Sequence, residues 1–314
     1  MENLRVAITG SSGFIGTNLV KRLSQNNEVF ALARDMNWRL SSIPNNFVYA
    51  HLDLALDSRE KIFKTIEEIK PDVLIHCASY DYHFDSNVQE VLQTNILGTL
   101  NLLDACKNAI FINTGTSAEY GIRKEPMKET DQVAPNTNHG LSKALMTNLF
   151  TMEKIITLRP FSVYGYYEGL HRLIPYILYS SIKKTKAVVQ NPSAVRDFIF
   201  VDDMVEAYWL AVKNYYKVES YVFNVGSGQQ STVAEAVRLA AVEIDDNLDV
   251  ENNEPERMWQ ADISKAKKEL GWEPKNSLKE GLVKTKEWMI DNIELYDRQS
   301  VDIYGRPQKN NKSA

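Results

Sequence analysis

The residues with the clearest chemical meaning form a glycine-rich turn near the start of the chain, Thr9-Gly10-Ser11-Ser12-Gly13-Phe14-Ile15-Gly16. Gly10 permits a tight bend, Gly13 lets backbone approach a pyrophosphate, and Gly16 allows close packing of a following helix. Backbone N–H groups at the start of that helix then face the anion. We expect the cofactor contacts here to be Gly10, Ser12, Gly13, Phe14, Ile15 and Gly16.

The turn is flanked by the two elements that this chemistry needs. An apolar run at 4–8 precedes it, and Leu19, Val20 and Leu23 follow it on one face of a predicted helix. A glycine repeat alone can be an ordinary turn. Between a strand and a helix, it indicates dinucleotide binding.

Strand and helix patterns alternate through the first half of the chain, which favours an α/β fold of the Rossmann type with a doubly wound parallel sheet. The second half is less regular and predicts a smaller C-terminal α/β lobe for substrate, interleaved with the sheet. We expect 1–160 to be mainly the dinucleotide-binding domain, 161–296 mainly the substrate lobe, and 297–314 a disordered tail. Strands are predicted at 4–8, 28–34, 47–53, 72–78, 110–113, 155–159, 187–190 and 221–225, and helices at 58–69, 87–107, 140–152, 173–184, 202–213, 232–242 and 278–292.

Composition and charge exclude several classes of protein. Of 314 residues, 44% are hydrophobic and 25% charged, as in ordinary globular chains, and the net charge of -5 comes without a basic stripe for nucleic acid. The sequence contains no signal-peptide pattern and no apolar run long enough to span a membrane. Cys77 and Cys106 lie in apolar patterns, which favours buried thiols in a cytoplasmic protein over a disulfide or a metal site.

The end of the second predicted strand bears on the choice of dinucleotide. An acidic residue there normally accepts the ribose hydroxyls of NAD, but the sequence has Arg34, and Arg39 follows shortly. A guanidinium group matches the 2′-phosphate of NADP in charge and geometry. Arg34 therefore favours NADP(H). NAD(H) is the alternative, in which Arg34 is a solvated charge and Asp35 takes the acidic role.

Two later strand ends complete the predicted cofactor site. Asp53, at the end of the third predicted strand, is placed to approach the adenine ring. Leu54 beside it, and Ala78 at the end of the fourth predicted strand, are also expected to contact the cofactor.

Further motifs are spread over nearly the whole chain. They are Asn95-Ile96-Leu97-Gly98-Thr99, Thr114-Gly115-Thr116-Ser117-Ala118-Glu119-Tyr120-Gly121, Leu158-Arg159-Pro160-Phe161-Ser162-Val163-Tyr164-Gly165, Arg196-Asp197-Phe198, Asn224-Val225-Gly226-Ser227-Gly228 and Ala261-Asp262-Ile263-Ser264-Lys265-Ala266. With the glycine turn, they make residues 3–292 resemble the extended short-chain dehydrogenase/reductases that act on nucleotide sugars. That family includes 4-epimerases, 4,6-dehydratases and 4-keto reductases, and the motifs specify its fold better than its reaction.

The resemblance implies roles for three residues. Thr116 matches the catalytic hydroxyl that hydrogen-bonds the sugar oxygen which becomes, or ceases to be, a ketone. Lys143 matches the lysine that holds the nicotinamide ribose and lowers the pKa of the acid/base. Four residues before this lysine the family has a catalytic tyrosine, and this chain has His139.

The histidine at position 139, in place of tyrosine, leaves open which group transfers the proton. A phenol works at this position because the lysine and the cationic nicotinamide lower its pKa from about 10 towards neutrality. An imidazole ordinarily titrates near 6.5 and is shorter. Three interpretations remain: His139 is an acid/base with different pH behaviour, a water or a residue of 80–83 has taken the role, or the site is catalytically impaired.

The resemblance also predicts where the substrate binds. Arg196 resembles the arginine that clamps the substrate diphosphate, a task that suits its fork geometry, and Arg172 is expected to assist. Ser162 replaces a frequent asparagine, and Arg257 lies in a stretch that lacks the usual Arg-Pro-Gly-Asp pattern. The predicted substrate residues are Tyr80, Tyr82, His83, Thr116, Ser117, Ser162, Arg172, Leu173, Arg196 and Arg257, with an ordinary polar loop as the alternative for those at 80–83.

Three functions remain open from the sequence. The favoured one is NADP(H)-dependent reduction at C4 of an NDP-4-keto-6-deoxyhexose, because Arg34 suits NADPH. The others are an NAD-dependent NDP-sugar 4-epimerase, and a nucleotide-sugar or dinucleotide-binding protein that has lost turnover. A 4,6-dehydratase is disfavoured, because Ser117-Ala118 replace the Asp-Glu pair that removes water in such enzymes.

The expected partners follow from the same resemblance. The family pairs the helices predicted at 87–107 and 140–152 into dimers, so we expect a homodimer. We expect a nucleotide-sugar substrate and no nucleic acid, membrane or metal partner.

Overall fold

The computed structural model describes residues 3–80, 87–189, 191–241 and 258–299. Its strands are β1 (Arg5–Thr9), β2 (Glu28–Ala33), β3 (Val48–His51), β4 (Val73–His76), β5 (Ile110–Thr114), β6 (Ile156–Pro160), β7 (Ser162–Tyr164), β8 (Val195–Arg196), β9 (Phe198–Phe200), β10 (Val222–Val225) and β11 (Ser231–Thr232). Seven of them form a parallel main sheet in the order β10-β6-β5-β4-β1-β2-β3. The predicted Rossmann-type α/β fold is confirmed.

Helices cover both faces of this sheet. They are α1 (Phe14–Leu23), α2 (Trp38–Ser41), α3 (Arg59–Ile69), α4 (Val88–Leu92), α5 (Thr99–Ala105), α6 (Asn138–Met152), α7 (Leu173–Lys183), α8 (Val201–Asn214), α9 (Val233–Ala240), α10 (Leu278–Asp291) and α11 (Ile293–Asp297). Alternate residues of β1 explain the layers. Val6 and Ile8 join the core under α1 and α8, whereas Ala7 joins the core under α3, α5 and α6.

The second lobe has a hydrophobic core of its own. Leu178 of α7, Val237 of α9 and Leu282 of α10 pack there with Phe200 of β9. Strand β10 comes from the second half of the chain but completes the main sheet beside β6, so the two lobes share an element. The exact division at 160 stays a prediction, and residues 300–314 of the predicted tail lie outside the described residues.

The helix predicted at 87–107 is interrupted by a wider turn. Gln93–Gly98 form a π-helical turn between α4 and α5. This turn presents buried Asn95, whose side chain accepts the N–H of Tyr80 (2.7 Å) and donates to the Tyr80 carbonyl (3.1 Å). The interruption therefore ties the helix to the chain that leaves β4.

Of the strand predicted at 187–190, the structure has a single bridge residue, Ala187, and no strand element within 187–189; residue 190 lies outside the described residues. The Val188 N–H donates to the Tyr176 hydroxyl (3.0 Å) instead of to a neighbouring strand. Four short strands, β7, β8, β9 and β11, were not predicted, because two or three residues are too few for a periodic pattern. Within the described ranges, no helix has the length and apolar character needed to cross a membrane.

Candidate active site

A cavity of about 1310 Å³ lies at the carboxyl edge of the main sheet and is lined by residues of both lobes. Ligands bind at this edge in open parallel sheets. Most of the predicted site residues that fall within the described ranges meet here. Those that line the cavity are Gly10, Gly13, Phe14, Ile15, Gly16, Thr116, Ser117, His139, Lys143, Ser162, Arg172, Leu173 and Arg196.

The glycine turn has the shape of a phosphate cradle. Gly10 has φ of 64°, and a Cβ atom there would lie 2.6 Å from the Ala78 nitrogen, so only glycine fits. A Cβ atom on Gly16 would collide with the Gly10 carbonyl. Helix α1 begins after Gly13, which offers no side-chain cap, and this leaves the first N–H groups of the helix for an anion. These residues fit the pyrophosphate of a dinucleotide.

The remaining predicted cofactor residues lie around the cavity but not in its lining. Arg34 is exposed at the end of β2. Asp53 Oδ1 accepts the N–H groups of Ala55 (2.9 Å) and Leu56 (3.2 Å), which fixes a local turn. Contacts of these residues with a cofactor stay predictions. The residues outside the lining are Ser12, Arg34, Asp53, Leu54 and Ala78, together with the predicted sugar contact Tyr80.

Thr116 is held by the turn that follows β5. Its N–H donates to Glu119 Oε1 (2.9 Å), and its hydroxyl accepts the Ala118 N–H (3.2 Å), so the two residues form a capping box. Thr116 lines the cavity beside Ser117. The backbone around the predicted catalytic hydroxyl is therefore fixed by a carboxylate.

That carboxylate belongs to a buried ion pair. Glu119 Oε2 lies 2.8 Å from Arg159 Nη2, and the side chains are 0% and 4% exposed. Arg159 also donates to the Tyr120 hydroxyl (2.9 Å), which donates to Asn224 Oδ1 (2.7 Å). Burial raises the pKa of Tyr120 far above its usual range, so its phenol stays protonated and serves as a structural donor.

Helix α6 carries His139 and Lys143 into the cavity. Thr137 caps the helix by accepting the Gly140 N–H (3.0 Å), which places His139 in the first turn. Lys143 is 5% exposed, and its Nζ donates to the Thr114 carbonyl at the end of β5 (2.8 Å). Ser142 donates to the His139 carbonyl (2.9 Å). Helix α6 thus fixes both residues against the strand that leads to Thr116.

A second histidine lies beneath the glycine turn. His76 Nδ1 is 2.8 Å from Thr9 Oγ1, and its Nε2 is 3.0 Å from Thr99 Oγ1. Burial, with a smaller contribution from the charge of Lys143, lowers the pKa of His76 to about 3. A neutral imidazole therefore links β1, β4 and α5 behind the cavity.

Two arginines that are predicted to bind the substrate line the cavity. Arg196 lies on β8, and its Nη1 donates to the Val195 carbonyl (2.7 Å). Arg172 is the N-cap residue of α7, directly before Leu173. Both arginines line the cavity with Ser162. Three predicted substrate residues, Tyr82, His83 and Arg257, lie outside the described residues.

Sequence reasoning missed a buried acidic residue in the cavity wall. Glu168, in the loop between β7 and α7, is 7% exposed, and its Oε2 has no hydrogen-bond partner among the described residues. Burial raises its pKa to about 8, although the charges of Arg172 and Arg39 oppose this shift. A lone glutamate in a polar loop gives no sequence signal. Arg39 was noted only as a charge that follows Arg34.

Known proteins share this fold and much of the sequence pattern. Residues 6–226 match the model of the NAD dependent epimerase/dehydratase family. A dTDP-glucose 4,6-dehydratase of Xanthomonas campestris pv. campestris is 26% identical over 329 aligned residues, which cover 91% of this chain and 93% of the relative.

Solved structures resemble the whole described fold. The crystal structure of dTDP-glucose 4,6-dehydratase from Bacillus anthracis in complex with NAD has a TM-score of 0.80 at 22% identity, covering 93% of this chain and 98% of that one. UDP-glucose 4-epimerase of Thermotoga maritima with UDP-glucose has a TM-score of 0.80 at 24% identity, covering 92% and 99%. At these identities the similarity establishes the fold.

The fold and the glycine turn define a dinucleotide-binding α/β protein of the Rossmann type. Within that class, the chain belongs to the NAD dependent epimerase/dehydratase family. The predicted resemblance to NAD(P)-dependent enzymes of nucleotide sugars is confirmed at the level of the family.

Proposed function

We propose that this protein is an NADP(H)-dependent reductase that acts at C4 of an NDP-4-keto-6-deoxyhexose. The observation that carries the proposal is that Thr116, His139 and Lys143 line one cavity with the glycine turn. A hydroxyl, an imidazole and a lysine beside a dinucleotide cradle are the groups that carbonyl reduction needs.

Each of the three residues has a distinct task in this reaction. The bound dinucleotide supplies the hydride for C4 and leaves oxidised. Thr116 donates a hydrogen bond to the C4 oxygen from a backbone that Glu119 fixes. Lys143, held by the Thr114 carbonyl, binds the nicotinamide ribose, and its charge stabilises the developing alkoxide. His139 delivers the proton that turns the oxygen into a hydroxyl, directly or through a water.

A dehydratase is disfavoured by the groups beside Thr116. Ser117 and Ala118 line the cavity where elimination of water needs two acid/base groups. The following residue is acidic, but Glu119 is fully buried and paired with Arg159. It therefore has no access to a substrate.

The preference for NADP(H) is supported by charge at the end of β2. Arg34 is exposed there, and a guanidinium group suits a 2′-phosphate. Arg172 and Arg196, which also line the cavity, suit the substrate diphosphate.

The proposal includes a homodimer in the cytoplasm. Leu97, Leu141, Leu145 and Met152 are all more than half exposed on neighbouring helical segments, and such a patch suits burial against a second copy. The free thiols of Cys77 and Cys106 suit a reducing compartment.

Reduction can be measured directly. The purified protein is mixed with NADPH and NDP-4-keto-6-deoxyhexoses that carry CDP, dTDP, UDP or GDP, and the loss of reduced-nicotinamide absorbance is followed. Thr116→Val should lower kcat on the order of a hundred-fold, because it removes one donor to the developing oxyanion. Thr65→Val, on the outer helix α3, is the matched control and should leave kcat unchanged.

Two other results would replace the proposal. Interconversion of NDP-hexoses without consumption of added NADPH, by protein that retains NAD, would identify the 4-epimerase; the name of the matched family favours this alternative. Turnover in His139→Tyr but none in the parent chain would show that His139 is not a competent acid and that the natural protein is impaired.

A further inference from the structure

The wall of the cavity next to the glycine turn contains a carboxyl group without a task in the proposed reaction. Glu168 is 7% exposed and lines the cavity, and its Oε2 has no hydrogen-bond partner among the described residues. Buried polar atoms of proteins are nearly always paired. A carboxyl group that lines a cavity and has an unpaired buried oxygen points to a ligand at that wall.

The charged and titratable groups around Glu168 come from several elements. Arg39 of α2 and Arg172 at the start of α7 are its basic neighbours. Tyr164 of β7 and Tyr296 of α11 also face it, and His171 lies in the same loop. Two cations, with no other acid among these neighbours, make this wall a site for an anion.

Arg39 is held in place from two sides. Its Nε donates to the Tyr167 carbonyl (2.7 Å), next to Glu168, and its guanidinium lies 4.5 Å from the centroid of the Trp38 ring. These contacts use one of its three nitrogens, and Arg39 lines the cavity. A guanidinium fixed in this way is prepared to donate to a phosphate oxygen.

The same wall is tied to the phosphate cradle. Asn37, two residues before Arg39, donates to the Ser12 carbonyl (2.8 Å). Asn18 of α1 donates to the Tyr166 carbonyl (2.9 Å), two residues before Glu168. Both elements are thus anchored to the glycine turn and to the helix that follows it, where the phosphates of a dinucleotide would lie.

We propose that Arg39 and Glu168 form a second phosphate-recognition element for the dinucleotide, in which Arg39 contacts a phosphate group and Glu168 is protonated when that phosphate is bound. This inference rests on the dinucleotide binding that the proposed function requires. The phosphate is either the pyrophosphate, which NAD and NADP share, or the 2′-phosphate of NADP.

The coupling to a proton follows from electrostatics. A carboxylate and a phosphate in one buried wall repel each other with little screening by solvent. A protonated carboxyl group removes this repulsion and can donate a hydrogen bond to the phosphate. Burial already raises the pKa of Glu168 to about 8, and a bound anion raises the pKa further.

The test measures binding of NADPH and NADH by calorimetry to the full chain. Arg39→Gln should weaken binding on the order of ten-fold, the effect of one charge-assisted contact. Arg22→Gln, which removes an exposed arginine of α1, is the matched control and should bind like wild type. If both dinucleotides bind more weakly to Arg39→Gln, Arg39 contacts the pyrophosphate. If only NADPH binds more weakly, Arg39 contacts the 2′-phosphate.

Glu168→Gln tests whether binding of the dinucleotide requires protonation of Glu168. Wild-type affinity should fall by up to about ten-fold per pH unit above about pH 8, because binding then requires uptake of a proton. The glutamine at this position is always neutral, so the variant should show no such fall, and every other group of the protein is the same in both chains. Melting temperatures of the variants without ligand check that they are folded.

The possible failures can be told apart. An unchanged affinity in Arg39→Gln, or the same pH dependence in wild type and Glu168→Gln, overturns this inference alone. Loss of affinity in Arg39→Gln only for a nucleotide sugar also overturns it. Wild-type protein that binds neither dinucleotide overturns the proposed function and this inference together. Binding without reduction of any 4-keto sugar overturns only the proposed function.

Discussion

Glu119 and Glu168 are both buried, but only Glu168 lines the cavity, and their surroundings differ. Glu119 uses Oε1 for the Thr116 N–H and Oε2 for an ion pair with Arg159. Glu168 also has arginines near it, but its Oε2 has no hydrogen-bond partner in the described part of the chain, and burial raises its pKa to about 8. The Glu119 carboxylate therefore stabilises the fold, whereas the Glu168 carboxyl group is costly to ionise.

The comparison distinguishes a carboxylate that supports the fold from a carboxyl group that takes part in recognising a ligand. A buried charge with every oxygen paired holds one geometry, which suits the turn that carries Thr116. A buried carboxyl group in a cavity wall, with one oxygen unpaired, changes its protonation in response to a charged ligand in the cavity. The same residue type thus has opposite effects on stability, and substitutions at the two positions should differ in sign.

The largest effect is expected at the paired carboxylate. Glu119→Gln should lower the free energy of unfolding by about 3–5 kcal/mol, because it leaves the Arg159 charge buried without its partner. Urea denaturation at neutral pH measures the change. A loss below about 1 kcal/mol, the range of exposed pairs, would show that this pair does not stabilise the fold.

An effect of opposite sign, at most comparable in size, is expected at Glu168. The folded pKa of about 8 lies above the ordinary value of 4.5, so wild-type stability falls as pH rises between these values and is level above them. Glu168→Gln lacks this loss. Its advantage in free energy of unfolding should grow by at most about 1.4 kcal/mol per pH unit across this window. Urea denaturation at several pH values measures the growth, and an advantage independent of pH would contradict the assignment.

The smallest effect is expected at an exposed ion pair. Arg59 and Asp104 lie 2.9 Å apart with side chains 58% and 46% exposed. Asp104→Asn should change the free energy of unfolding by less than about 1 kcal/mol and should be sensitive to salt, because water and ions screen the pair. Unfolding at low and high salt measures both. A loss as large as that in Glu119→Gln would remove burial as the reason for the contrast.

Much of the fold could be predicted because its signals are local. Apolar runs such as 28–34 and the glycine turn can be recognised from a few consecutive residues. The strands of the main sheet match the predicted bounds to within a few residues at each end. Strands such as β8 and β11 have two residues each and exist only because they pair with each other. No local pattern encodes such pairing.

The residues of the site also divide into those that local motifs predict and those that depend on distant contacts. Thr116, His139 and Lys143 could be placed from motifs, and the cavity brings them together; their roles stay predictions. Glu119 lay inside a motif, but its pairing with Arg159 joins positions 40 residues apart. The burial of Glu168 depends on α2, α7 and α11 at once, so a single sequence without contacts contains no signal for it.

Because of the wide turn at Gln93–Gly98, the number of residues in this helical segment fixes the orientation of two side chains at once. A π-helical turn holds more residues than an α-helical one, and each residue rotates an α-helix by about 100°. With the present count, Asn95 holds Tyr80 while Leu102, after the turn, lies in the core under the sheet. Deleting one residue between them would either turn Leu102 out of the core or turn Asn95 away from Tyr80. The chain that leaves β4 and the core under the sheet thus depend on two different rotational phases of the same helix.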